Sequence, residues 1–176
     1  HLGRESYGYR NGEDESLEGN TIIGRALTLC DYRDRKTILG TKLLLTSLTF
    51  SNAAPLKKAI LRAGLGDEFD AAVNDYLCQP FVSFRLKKTD ASKAERFLST
   101  LESTLRDLAE NGIDRDLLTA SINKLDFSLR ERDNGSAPGV DYAVSVMDTW
   151  LYGGNPVDAL KNRDLLAEIR AEMENG

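Results

Sequence analysis

The chain has 176 residues, 41% hydrophobic and 29% charged, with a formal net charge of −5. That balance suits a folded domain with a sizeable core. The acidic excess, with no Lys/Arg stripe, argues against a nucleic-acid surface. No apolar run approaches the roughly 20 residues that span a bilayer; the longest, Leu43–Phe50, is broken by Thr46, Ser47 and Thr49. The polar, glycine-rich start carries no signal-peptide pattern. With no Met before it, His1 reads as a cut end. Cys30 and Cys78 lie far apart and read as reduced, buried thiols, which makes a cytoplasmic location the expectation.

Residues 1–19 are rich in Gly, Glu, Asp and Arg and read as an exposed lead-in or linker; 20–176 read as one domain. Asn20–Cys30 is β-prone through Ile22, Ile23, Leu27 and Leu29. Asp34–Leu48 turns helical, with Leu39, Leu43 and the adjacent leucines on a face wide enough to be well buried. A short helix follows from Ser51-Asn52, with Pro55 early in it and Gly64 at its end. Gly64-Leu65-Gly66 is a turn, followed by strands near Phe69–Leu77 and Pro80–Lys88. In the second strand Val82, Phe84 and Leu86 alternate with Phe81, Ser83, Arg85 and Lys87, the period of a half-buried strand.

Asp90 is placed to cap a long helix carrying Phe97, Leu101, Leu105 and Leu108 on one side, closed by Asn111-Gly112. Asp114 is placed to cap the next, with Leu118, Ile122, Leu125 and Leu129, ending at Asn134-Gly135. Pro138 reopens helix; Val140, Val144, Met147 and Leu151 repeat the same spacing and read as core, and Gly153-Gly154 stops them. Asn155-Pro156 starts a short helix and Asn162 caps a last one to about Met173. The order β-α-α-β-β-α-α plus C-terminal helices gives an α+β fold, helices on one face of a mostly antiparallel sheet.

The chemistry available is narrow. A Ser-His-Asp or Cys-His system needs a rigidly held imidazole, and the single histidine is His1, at a terminus. Structural zinc needs about four Cys/His ligands and catalytic zinc about three protein ligands; the three Cys/His residues are scattered without paired spacing, so no zinc site is expected in this chain. Gly64-Leu65-Gly66 lacks a third glycine and leads into a strand where a dinucleotide loop opens a helix. In Gly135-Ser136-Ala137-Pro138-Gly139 the glycines and serine are mis-spaced for a nucleophile elbow. Asp67/Glu68/Asp70 and Glu131/Asp133 are the tightest carboxylate groups and read as solvated surface or caps. Trp150 and Tyr152 read as core anchors with a wet polar tip. No catalytic or metal residue is therefore assigned.

Ala54-Pro55-Leu56-Lys57-Lys58-Ala59-Ile60-Leu61-Arg62-Ala63-Gly64-Leu65-Gly66 resembles a motif of the pitrilysin/insulinase-type zinc metallopeptidases, in their presequence-degrading branch. Gln79-Pro80-Phe81, Asn111-Gly112-Ile113-Asp114, Asp126-Phe127-Ser128-Leu129-Arg130-Glu131, Pro138-Gly139 and Trp150-Leu151-Tyr152-Gly153-Gly154-Asn155-Pro156 follow in the same order, so the resemblance runs from Thr21 to Glu174. Ala54 and Lys57 depart from the family's Ser and Tyr, and Asp126 stands where Glu is usual. The resemblance implies a parent of four related α+β domains closing on a chamber, with this chain as the second. It also implies that the zinc site, His-Xaa-Xaa-Glu-His plus a distant Glu, lies in the parent's first domain. On that basis the expected role is a non-catalytic chamber wall, partnered by the parent's other domains and by peptide substrates; acids facing the chamber would favour basic peptides. The alternative is a free-standing protein-binding or assembly module on the same fold.

Overall fold

The computed structural model describes residues 3–10, 12, 16, 18–130 and 138–175. Chain order is β1 (Thr21–Thr28), α1 (Arg35–Thr49), α2 (Pro55–Arg62), β2 (Glu68–Asn74), β3 (Phe81–Thr89), α3 (Ala94–Asn111), α4 (Arg115–Arg130), α5 (Pro138–Trp150) and α6 (Asn162–Asn175). One 3-10 turn, Ala91–Lys93, leads into α3 and another, Pro156–Leu160, separates α5 from α6. The strands form one antiparallel sheet in the order β1-β3-β2, so the expected α+β class and element order are both found.

Alternation sets the sheet's two faces. Val82, Phe84 and Leu86 are buried, opposite Ile23, Arg25 and Leu27 on β1 and Phe69, Ala71 and Val73 on β2. Leu45 and Leu48 of α1, Leu56 and Ile60 of α2, and Phe97 and Leu101 of α3 pack on that face. The Phe69 and Phe97 rings meet edge-on, centroids 6.1 Å apart. A second core lies between helices: Leu39 and Leu43 of α1 against Ile122 of α4 and Leu166 and Ile169 of α6. Helix α1 feeds both cores, which is why its leucines crowd so wide a face.

The turns follow from side-chain chemistry. Asp34 accepts the Thr37 N–H at 3.0 Å and starts α1. Gly64 takes φ +62° at the end of α2, where a left-handed residue is required. Gly66 presses on β3: a Cβ there would sit 2.8 Å from the Lys87 carbonyl oxygen. Asp114 accepts the Asp116 N–H at 2.7 Å at the start of α4. Asn155 accepts the Val157 N–H at 3.1 Å to start the second 3-10 turn.

Three expectations need correction. Asp90 does not cap α3; its carboxylate accepts the Gly19 N–H at 2.9 Å and the helix is entered through the 3-10 turn. Asn162 is the first residue of α6, and its side chain reaches back to donate to the Ala159 carbonyl at 3.2 Å. The largest concerns α5. Val140, Val144, Met147 and Leu151 are all exposed, so the stripe read as core faces water. The spacing is helical as read, but spacing alone does not say which side of a helix meets the body. The Asn134-Gly135 stop lies outside the described residues.

Candidate functional site

Among the described residues, one face of the sheet has no helix on it. It presents Gly24, Ala26 and Thr28 of β1, Phe81, Ser83, Arg85 and Lys87 of β3, and Glu68, Asp70, Ala72 and Asn74 of β2, none of them buried. The small side chains at Gly24, Ala26, Ser83 and Ala72 leave a shallow floor. Around it charges are paired across strands in register: Asp70 sits opposite Arg85 and Glu68 opposite Lys87. Arg85 Nε lies 2.7 Å and Lys87 Nζ 3.4 Å from the Asp70 carboxylate. Lys88 Nζ lies 2.6 Å from Glu68 Oε1. The hydrogen bond from Lys88, and then its charge, hold the Glu68 carboxyl below the usual range, and Glu68 raises Lys88 in return. Asn74 donates to Ser83 Oγ at 3.0 Å. The Asp67/Glu68/Asp70 group, read as solvated surface, is thus mostly a cross-strand ion ladder.

A second polar place lies under α5. Arg35 and Lys42 of α1, Asp75 after β2, Asp141, Ser145 and Asp148 of α5, and Asn162 line a cleft of about 360 Å³. Lys42 pairs with Asp75 at 2.8 Å and Arg35 with Asp75 at 3.8 Å. Arg35 Nη2 reaches Asn162 Oδ1 at 3.5 Å, while its buried Nε has no hydrogen-bond partner among the described residues. Burial, and then the Asp75 charge, push the Asp148 carboxyl up. No local sequence signal could have found this cleft, because its charges come from α1, the β2–β3 loop and α5, and its amide from the start of α6.

The candidates drawn from the sequence separate clearly. Gly64-Leu65-Gly66 is a packing turn with Leu65 fully buried in it. Cys30 is half-buried, its thiol pushed up by burial and then by the charges of Asp34 and Asp31; Cys78 is exposed, which corrects the reading of two buried thiols. Both are free. Tyr152 is held: its carbonyl accepts the Tyr32 hydroxyl at 2.6 Å and the two rings sit 5.6 Å apart. Trp150 is not a core anchor but stands 61% exposed. Tyr32, buried beneath this contact, is an anchor that local sequence pattern does not reveal. His1, Glu131/Asp133 and Gly135-Ser136-Ala137 lie outside the described residues; Pro138-Gly139 open α5.

Among the described residues no group of three or more His, Cys, Asp or Glu is arranged to hold a metal. A family-type zinc site needs two histidines on one helical turn; with one histidine in the sequence, the donors present do not fit that ion. No described helix is long and apolar enough to cross a membrane.

The architecture recurs in solved structures. A proposed zinc protease from Bordetella pertussis Tohama I matches with TM-score 0.66 at 19% identity, over 84% of this chain and 79% of that one. An inactive peptidase domain from Bordetella parapertussis matches with TM-score 0.68 at 16% identity, over 83% and 77%. These define the class: an α+β domain with the fold of zinc-protease domains. No protein-family model matches the chain. In sequence it is 37% identical over 170 residues to Protein HypA of Clostridium perfringens, covering 96% of this chain and 18% of that protein. It is 32% identical over 123 residues to Presequence protease 1, chloroplastic/mitochondrial, of Arabidopsis thaliana, covering 69% of this chain and 11% of the relative. A mitochondrial presequence protease of Xenopus tropicalis is 25% identical over 155 residues, 87% of this chain and 15% of the relative. The chain is a pitrilysin/insulinase-type metallopeptidase segment, matched over part of such a protein; it spans less than a fifth of the length of these curated relatives.

Proposed function

We propose that this chain is a non-catalytic wall of a peptidase chamber, and that zinc and catalysis belong to another domain of a longer polypeptide. The observation that carries the reading is the bare sheet face. It joins a floor of small residues to a rim of paired charges, a surface suited to line a wet space. An unfolded peptide could lie along it, and at its β1 side Gly24, Ala26 and Thr28 also border a cavity of about 740 Å³ shared with residues 3–6. Arg85, Lys87 and Lys88 stand there against Glu68 and Asp70, so this face has no acidic excess. The expected selectivity for basic peptides therefore moves to other walls, and this one favours unstructured chains of either charge. The two free thiols suit a reducing compartment, and we assign the cytoplasm; the presequence proteases it resembles are named for organelles.

A second reading, a free-standing binding module on the same fold, is favoured by one observation, the exposed apolar side of α5. One experiment separates them. The isolated chain and the longer product of its native gene are each incubated with an unfolded peptide of a few dozen residues and added zinc. The chamber-wall reading expects cleavage by the longer product alone, abolished by chelation. A native product ending near these boundaries, or inert with zinc supplied, supports the binding module instead.

A further inference from the structure

Helix α5 is inside out. Val140, Val144, Met147 and Leu151 recur at four-, three- and four-residue steps and so share one stripe. That stripe faces water: Val144 is 55%, Met147 40% and Leu151 66% exposed. The side turned to the body carries Asp141, Ser145 and Asp148 and borders the cleft with Arg35, Lys42 and Asp75; Val144, at the margin of the stripe, also touches the rim of that cleft. Thr149 is the one buried residue among the described α5 side chains. A surface helix on a lone domain places these sides the other way round.

The energetics make the arrangement more telling. Thirteen residues form a marginal helix in water, and such helices owe their stability to a packed apolar face. Yet α5 packs chiefly on the 3-10 turn that follows it, Pro156–Leu160, and the cleft beside it is lined from the other elements by Arg35, Lys42, Asp75 and Asn162 together with Leu129 and Ala159. Among the described residues its apolar side is left uncovered. Trp150, exposed beside the stripe, adds an aromatic of the kind enriched at protein interfaces. The chain covers only 18% and 11% of two relatives that match it, so most of a protein of that build lies outside it.

We propose that the outward stripe of α5 is the docking surface for a further part of the same longer polypeptide, and that α5 serves as a joint between two bodies. The polar side stays on the cleft and the apolar side receives an apolar ridge of the neighbouring body. This rests on the reading of the chain as one portion of a longer peptidase.

Amide hydrogen exchange of residues 140–151 tests it, compared between the isolated chain and the longer native product, with the amides of Val82–Leu86 in β3 as internal control. The expected result is slowing by at least about tenfold in the longer product. V144D with L151D should erase the slowing and leave the β3 amides unchanged. Equal exchange in both contexts overturns the proposal. So does a dimer of the isolated chain that protects α5 and is dissolved by V144D/L151D, because the occupant is then a second copy. Peptide hydrolysis by the longer product is scored separately. Protection without hydrolysis keeps the joint and removes the peptidase reading; hydrolysis with α5 unprotected does the reverse.

Discussion

Among the described residues two surfaces are left bare, and they differ in kind. The open sheet face carries glycine, alanine, serine and charges neutralised across strands, so water is an adequate neighbour for it. The outward side of α5 carries valine, methionine, leucine and a nearby tryptophan, for which water is a poor neighbour. Exposure by itself therefore does not mark a contact surface. The first face suits a permanently wet space, and the second suits cover by another body.

Substitutions sharpen that contrast, beginning with a reference from the core. Phe97→Ala should cost about 3–5 kcal/mol in urea unfolding of the isolated chain, because the ring fills the space between α3 and Phe69. Leu151→Asp in the same assay should stay within about 0.5 kcal/mol. A large loss there would mean that the stripe is already packed in this chain. Next, Gly66→Ala should cost about 1–3 kcal/mol, since its methyl would strike the Lys87 carbonyl, which cannot move without distorting β3. Gly24→Ala, where the nearest atom is 3.9 Å away, should be close to neutral and confirm that the sheet face has room.

Asp34→Ala should cost about 1 kcal/mol by removing the cap of α1, the helix shared by both cores. The Thr37 backbone N–H holds the Asp34 carboxyl below its ordinary range. Its folded value is depressed, so its contribution is complete above the usual carboxylate range. It fades as pH falls through the lowered folded value. The cost of the substitution should fade over the same acid window in chemical-denaturation curves. The smallest effect belongs to the ion ladder: Arg85→Ala should cost about 0.2–1 kcal/mol at low ionic strength and less in high salt.

Much of the fold was legible because local pattern and tertiary role agree. The alternation through Val82, Phe84 and Leu86 matches the buried side of β3, and the spacing of Phe97 and Leu101 matches the side of α3 on the sheet. The stops at Gly64, Gly112 and Gly153 all fall at residues with positive φ. The α5 stripe misleads because a sequence shows that a helix has an apolar side but not whether the matching surface lies in the same chain. Asp90 misleads because the Gly19 N–H, 71 residues away, takes its carboxylate. Tyr32 is silent in the sequence because its partner is the carbonyl of Tyr152, 120 residues on. The open sheet face can be half read: the polar half of the alternation is visible, but its pairing partners depend on the register of β2 against β3.

As a chamber wall, this chain would hold none of the metal chemistry. Zinc stoichiometry tests it most directly. The purified, untagged chain is saturated with zinc, dialysed against metal-free buffer and analysed by elemental mass spectrometry beside the longer native product. A chamber wall should retain negligible zinc in the isolated chain, with about one equivalent in the longer product, as expected for one catalytic site. About one tightly held zinc in the isolated chain would contradict it.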